Sequence, residues 1–124
     1  MTHEDYMQMA IAEARKAAAA GEIPVGAVVV CGDTVLAAAR NDREETHSPL
    51  GHAEVRAIEM ACHVRGDWRL EDCTLYVTLE PCPMCSGVIL NARVGQVLYG
   101  AANPQYGCRG SRLHLAHLDL GASP

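Results

Sequence analysis

Four side chains in this sequence have the types and the order that metal-assisted hydrolysis requires: His52, Glu54, Cys82 and Cys85. They lie in two short stretches, Gly51-His52-Ala53-Glu54 and Pro81-Cys82-Pro83-Met84-Cys85. One imidazole and two thiols make three soft or borderline ligands, and the carboxylate is a group able to move protons. A structural zinc site is normally closed by four protein ligands. A catalytic one keeps three and leaves the fourth position to water, whose pKa falls to about 7. Three ligands and a spare glutamate therefore point to a catalytic zinc and to hydrolysis, with one Zn2+ per subunit as the expected cofactor.

The elements that must position these groups can be read from the neighbouring residues. Cys82 and Cys85 are three apart and so lie on one side of a helical first turn, where one ion reaches both. Pro81 and Pro83 place that turn at a helix start, where the dipole and free N–H groups favour thiolate. His52 and Glu54, two apart, do not share a helix face, so Glu54 can face the pocket without ligating the metal. His-x-Glu followed by Pro-Cys-x-x-Cys resembles the signature of the zinc deaminases. The alternatives are a redox Cys-x-x-Cys pair, half of a zinc ribbon, or a structural zinc closed by one of Cys31, Cys62, Cys73 and Cys108. Those four cysteines otherwise read as small buried hydrophobes.

Taken in order, Thr2 and Asp5 resemble a capping box. Tyr6, Met9, Ala10, Ala14, Ala17 and Ala18 then recur at helical spacing, predicting a helix over 3–20 that Gly21 stops. Val25 to Cys31 and Thr34 to Ala39 predict a hairpin with a Gly32-Asp33 turn. Residues 40–51 read as a polar loop, in which Asn41 by itself is most simply a turn residue. Ser48-Pro49 reads as the start of a helix running to about Val64, with His52 and Glu54 in its first turns. Thr74 to Leu79 is a strand, and the cysteines open a helix that continues to Arg93. Val94 to Tyr99 is a further strand, residues 100–110 are a loop, and Leu113 to Leu120 form a short final helix. Strands separated by helices after the hairpin imply parallel pairing through crossovers. The expected architecture is an α/β protein, a three-layer α/β/α sandwich around a mixed sheet of about five strands. Ligands at the carboxyl end of a strand and the start of the next helix suit such a sheet.

Composition narrows the class. With 124 residues, 49% hydrophobic and 20% charged, the chain reads as one globular domain over 1–124. Phe is absent and aromatics are 4%, so the core must be built of Ala, Val, Leu, Ile and Met. No basic and apolar leader and no run of about 18 apolar residues appears, so the expectation is a cytoplasmic chain with no membrane partner and free thiols. A net charge of −5 disfavours a broad nucleic-acid grip, which rests on Lys and Arg. Only a local basic patch could supply one.

Glu22 to Val28 with Gly21, His52-Ala53-Glu54, Trp68-Arg69-Leu70-Glu71, Thr74 to Cys85 and Val97 to Ala101 together resemble the bacterial tRNA adenosine deaminases over nearly the whole chain. The resemblance implies conversion of adenosine to inosine at the wobble position of a tRNA anticodon by a zinc-dependent homodimer of cytidine deaminase fold. It implies His52, Cys82 and Cys85 as zinc ligands and Glu54 as the catalytic proton shuttle. It also implies Asn41 as a hydrogen-bonding partner of the nucleoside, overriding the turn reading, and the Ala53 N–H as a contact to the base. Ile23, Val25, Leu79 and Ala101 resemble pocket walls, with plain core as their alternative, and Asn103 stands near the substrate where the family usually carries Asp. The family continues beyond Pro124 through a helix that helps hold the anticodon loop. In its place Arg43, Arg109 and Arg112 are the candidates for phosphate contact. The same constellation is similar to free-base and nucleoside deaminases, and Asp72-Cys73 with Pro81 to Cys85 resembles guanine deaminases. The signature thus implies the reaction, while a free base, a nucleoside or single-stranded nucleic acid stays open as the substrate.

Overall fold

The computed structural model describes residues 1–101. Eight elements follow in order: α1 (His3–Ala19), β1 (Gly26–Cys31), β2 (Thr34–Arg40), α2 (Arg43–Thr46), α3 (Ala53–Arg65), β3 (Cys73–Leu79), α4 (Pro83–Asn91) and β4 (Gln96–Ala101). The strands form a mixed sheet in the order β2-β1-β3-β4, antiparallel at β1–β2 and β1–β3 and parallel at β3–β4. With β1 antiparallel to both neighbours, β2 and β3 run the same way, so α3 links them by a crossover past β1. Four strands stand among the described residues where about five were expected. The final helix over 113–120, Asn103, Cys108, Arg109 and Arg112 lie outside the described residues.

The sheet has helices on both faces, and the sequence of β1 says why. Val28, Val29 and Val30 form an unbroken apolar run because this central strand is covered on both sides. Alternation along the strand sends Val28 and Val30 to one face, with Tyr6, Ala10 and Tyr76, and Ala27 and Val29 to the other, with Ala53, Ala57, Ile58 and Ile89. Alanine dominates the helix faces, and the methionines that the composition suggested for the core sit at its edges. Cys73 is buried as expected, whereas Cys31 and Cys62 are only half-buried.

Several boundaries differ from the sequence-based expectation. Residues 40–51 are not all loop, because Glu22 reaches across to accept the Glu44 and Glu45 N–H groups at 3.0 and 2.7 Å and so caps α2. The helix expected from Pro49 begins at Ala53, with His52 as its extended N-cap. The next helix ends at Asn91 rather than Arg93, which takes a left-handed φ of 59°. The last strand runs on through Gly100 and Ala101, since Glu80 N–H donates to the Ala101 carbonyl at 2.8 Å and extends the parallel pairing. No helix among the described residues is long and apolar enough to cross a membrane.

Helix α1 rests directly on β1. A Cβ at Gly26 would overlap the Ala10 carbonyl oxygen and lie 2.6 Å from the Ala14 nitrogen, backbone atoms that cannot move aside. Gly26→Ala is therefore expected to lower the unfolding free energy by about 1–3 kcal/mol in a denaturant titration. A change within about 0.5 kcal/mol would mean that α1 can lift off the strand without cost.

Candidate active site

Two helices begin at the same place. Strand β3 delivers the chain to Pro81, and α4 starts with Cys82 as N-cap, Pro83 in the first turn and Cys85 one residue beyond Met84. Pro83 has no N–H to lose at this position, and the Ser86 N–H closes the first turn on the Cys82 carbonyl at 2.9 Å. His52 starts α3 in the same manner, with extended backbone (φ −93°, ψ 144°) and the Arg56 N–H on its carbonyl at 3.0 Å. Neither N-cap side chain makes a capping hydrogen bond, and the imidazole and the thiol turn toward each other. Both helix dipoles present their positive ends here, a field that favours thiolate over thiol.

His52 Nδ1 lies 3.7 Å from Cys82 Sγ and 3.4 Å from Cys85 Sγ, and the three donor atoms are within 4.8 Å of one another. A tetrahedral zinc with its usual bond lengths needs ligand atoms about 3.6 Å apart for a nitrogen–sulfur pair. The donor set fits such an ion in chemistry and in spacing. Cys85 hydrogen-bonds the Cys82 sulfur, and chiefly for that reason the Cys82 thiol is lowered to about 5. The same bond, reinforced by burial, pushes Cys85 far above the ordinary thiol range. A metal held here would take both cysteines as thiolates.

Glu54, in the first turn of α3, is 4% exposed and does not join the three donors. Burial raises its carboxyl pKa, against the opposing pull of its backbone hydrogen bond and of Cys85. Beside it opens a cavity of about 520 Å³ lined by Ile23, Val25, Asn41, Ala53, Leu79 and, among others, His52, Glu54 and Cys82. Asn41 is 5% exposed, and its side-chain oxygen, buried at the cavity, has no partner among the described residues. Ala53 is the first residue of α3, so its N–H is one that a helix leaves without an acceptor of its own. Ile23 is half exposed at the rim, while Val25 also packs on the core.

Not every expected residue is brought together. Ala101 is exposed at the end of β4 and does not line the cavity, because its role there is to pair with the chain at Glu80. Asn103 lies outside the described residues. Conversely, Glu80 lines the cavity at 1% exposure and was not singled out from the sequence. Its position directly before Pro81-Cys82 was the available signal. Arg43 also reaches the cavity, carried there by α2. That placement depends on the buried Glu22 and on Gly51, whose missing Cβ would sit 2.6 Å from the Arg43 backbone. Neither requirement is visible in a linear reading.

Comparison with known proteins places this geometry in a family. A family model for MafB19-like deaminases matches residues 1–122. The tRNA-specific adenosine deaminase of Bacillus subtilis (strain 168) is 48% identical over 116 residues, which is 93% of this chain and 72% of that protein. A chain solved in biochemical and structural studies of A-to-I editing by tRNA:A34 deaminases at the wobble position of transfer RNA superposes with a TM-score of 0.92. It shares 38% identity and covers 97% of this chain and 86% of its own. Guanine deaminase from Bacillus subtilis superposes with a TM-score of 0.80 at 42% identity, covering 82% of this chain and 66% of that one. With a matching model over nearly its full length and the His-x-Glu and Pro-Cys-x-x-Cys stretches folded against one cavity, the chain belongs to the MafB19-like deaminases, the family of the tRNA-specific adenosine deaminases.

Proposed function

We propose that the protein is a zinc-dependent hydrolase that deaminates adenosine to inosine at the wobble position of a tRNA anticodon. In this reading residues 1–124 form one deaminase domain, active as a cytoplasmic homodimer. The observation that carries it is the convergence of His52 Nδ1, Cys82 Sγ and Cys85 Sγ beside a buried carboxyl that is not part of the donor set. Relatives that act on tRNA adenosine favour this substrate. Support for a dimer comes from Met60 and Val64, exposed one turn apart on α3, and from Trp68 at 56% exposure.

His52, Cys82 and Cys85 would hold the zinc, which would supply a Lewis acid able to make water nucleophilic at neutral pH. Glu54 takes a proton from the attacking water, returns it to the ring nitrogen, and then serves the departing ammonia. Its burial suits that double duty, since a raised carboxyl pKa lies nearer the working pH and eases transfer in both directions. Asn41 offers its unpartnered oxygen to a donor of the nucleoside, and the Ala53 N–H offers a hydrogen bond to the base. Ile23, Val25 and Leu79 form the apolar wall. Arg43, on the cavity lining and about half exposed, is placed to meet a backbone phosphate.

An anticodon stem-loop carrying adenosine at the wobble position should acquire inosine, read by nucleoside analysis after digestion. Glu54→Gln should slow that conversion by at least about 100-fold while one zinc per chain is retained. Release of ammonia from guanine, cytosine or a free nucleoside, with the RNA untouched, would replace this substrate with a small one, the outcome that likeness to guanine deaminase favours. Full activity in Glu54→Gln would remove the proton shuttle altogether. Asn41→Ala should lower kcat/KM by about 5- to 100-fold, the loss expected for one buried hydrogen bond to substrate, and an unchanged value would return Asn41 to the loop.

A further inference from the structure

At the opposite end of the sheet a second sulfur cluster stands apart from the deamination chemistry. Cys31 closes β1, Cys73 opens β3, and the two are direct partners in the antiparallel ladder. Their sulfurs and the Asp72 carboxylate lie within 4.8 Å of one another. Direct antiparallel partners have Cα atoms about 4.5–5.5 Å apart, inside the range that a disulfide spans. Around the pair, Cys31 Sγ donates to Asp72 Oδ2 at 3.1 Å, Arg65 holds Asp72 through both guanidinium nitrogens at 2.5 and 2.6 Å, and Arg65 Nη1 is 3.2 Å from Cys73 Sγ. We propose that Cys31 and Cys73 are a thiol–disulfide pair, closing a reversible cross-strand bond when the protein meets a small-molecule disulfide oxidant.

The exposures set the order of events. Cys31 is half-buried and Cys73 buried, so Cys31 meets the oxidant first. Burial pushes the Cys73 thiol up to about 12, and the adjacent Arg65 guanidinium offsets part of that rise. The Cys31 thiolate attacks one sulfur of the oxidant, whose S–S bond breaks to leave a mixed disulfide and one free thiolate. Cys73 then attacks the Cys31 sulfur and expels the second thiolate. One S–S bond forms and one breaks, the two cysteine protons pass to the two released thiolates, and two electrons move from protein to oxidant. The bond encloses β2, α2 and α3, and with them Asn41, His52 and Glu54. Since Val25 and Leu79 line the cavity at the far ends of the same two strands, the pair stands roughly 20 Å from the metal ligands, a six-residue strand away. The bond therefore braces the scaffold without touching the site.

The test uses the zinc-loaded protein treated with oxidised glutathione. The proposal expects peptide mapping to recover a Cys31–Cys73 linked pair, with zinc still at one per chain and Tm raised by about 5 °C or more, reversed by dithiothreitol. Cys31→Ser should abolish the linked peptide and the Tm shift and keep deaminase activity. Cys73→Ser should leave Cys31 as a glutathione adduct, and if that variant fails to fold, the Cys31 variant decides. Three results would overturn the proposal: Cys31 stopping at the glutathione adduct in the unsubstituted chain, oxidation taking Cys82 and Cys85 instead, or a second zinc bound by the cluster and lost in Cys31→Ser.

Discussion

The approach of one imidazole nitrogen to two cysteine sulfurs constrains nearly everything else in this fold. For His52 Nδ1 to come within 3.4–3.7 Å of both sulfurs, α3 and α4 must begin side by side, and each must release its N-cap side chain from capping duty. That juxtaposition follows from the sheet: β3 ends where α4 begins, and the crossover through α3 passes β1 to bring the His52 turn to the same edge. The hydrogen bond from Cys85 to the Cys82 sulfur joins two of the three donors directly.

The rest of the scaffold holds that juxtaposition through close backbone approach rather than through bulk. Alanines on α1 and α3 and the bare Gly26 let helices sit down on a sheet whose own core is valine and leucine. Val25, on the cavity, follows α1 through a short linker. The substrate side is held differently. Glu22, buried by that linker, grips the N-terminus of α2 through two N–H groups and fixes the stretch bearing Asn41 and Arg43. Asp42 ties the same stretch to α3 through Arg56 at 3.1 Å.

Much of this was legible in the residues. The cysteine spacing, the flanking prolines and the valine run carried strong local signals, because each is written in a few adjacent residues. The capping box at Thr2 and Asp5 formed as its sequence suggested. What escaped the reading depended on partners distant in sequence. Four residues of helix at Arg43–Thr46 exist because Glu22 caps them, and β4 runs to Ala101 because Glu80 pairs there, neither of which periodicity can reveal. His52 was placed inside a helix because Ser48-Pro49 imitates a helix start, whereas the chain turns again before Ala53. The pairing of Cys31 with Cys73 likewise emerged only from the strand register.

Hydrolysis at this site requires a three-ligand metal centre with an open position beside a carboxyl that does not bind the metal. X-ray absorption at the zinc edge of the loaded protein tests it most directly. The expected spectrum is that of a four-coordinate shell of two sulfurs at about 2.3 Å and two light atoms near 2.0–2.1 Å, one of them imidazole nitrogen and the other exchangeable solvent. A shell of three sulfurs, or a light-atom position that survives unchanged solvent exchange and vanishes in Glu54→Gln, would contradict it.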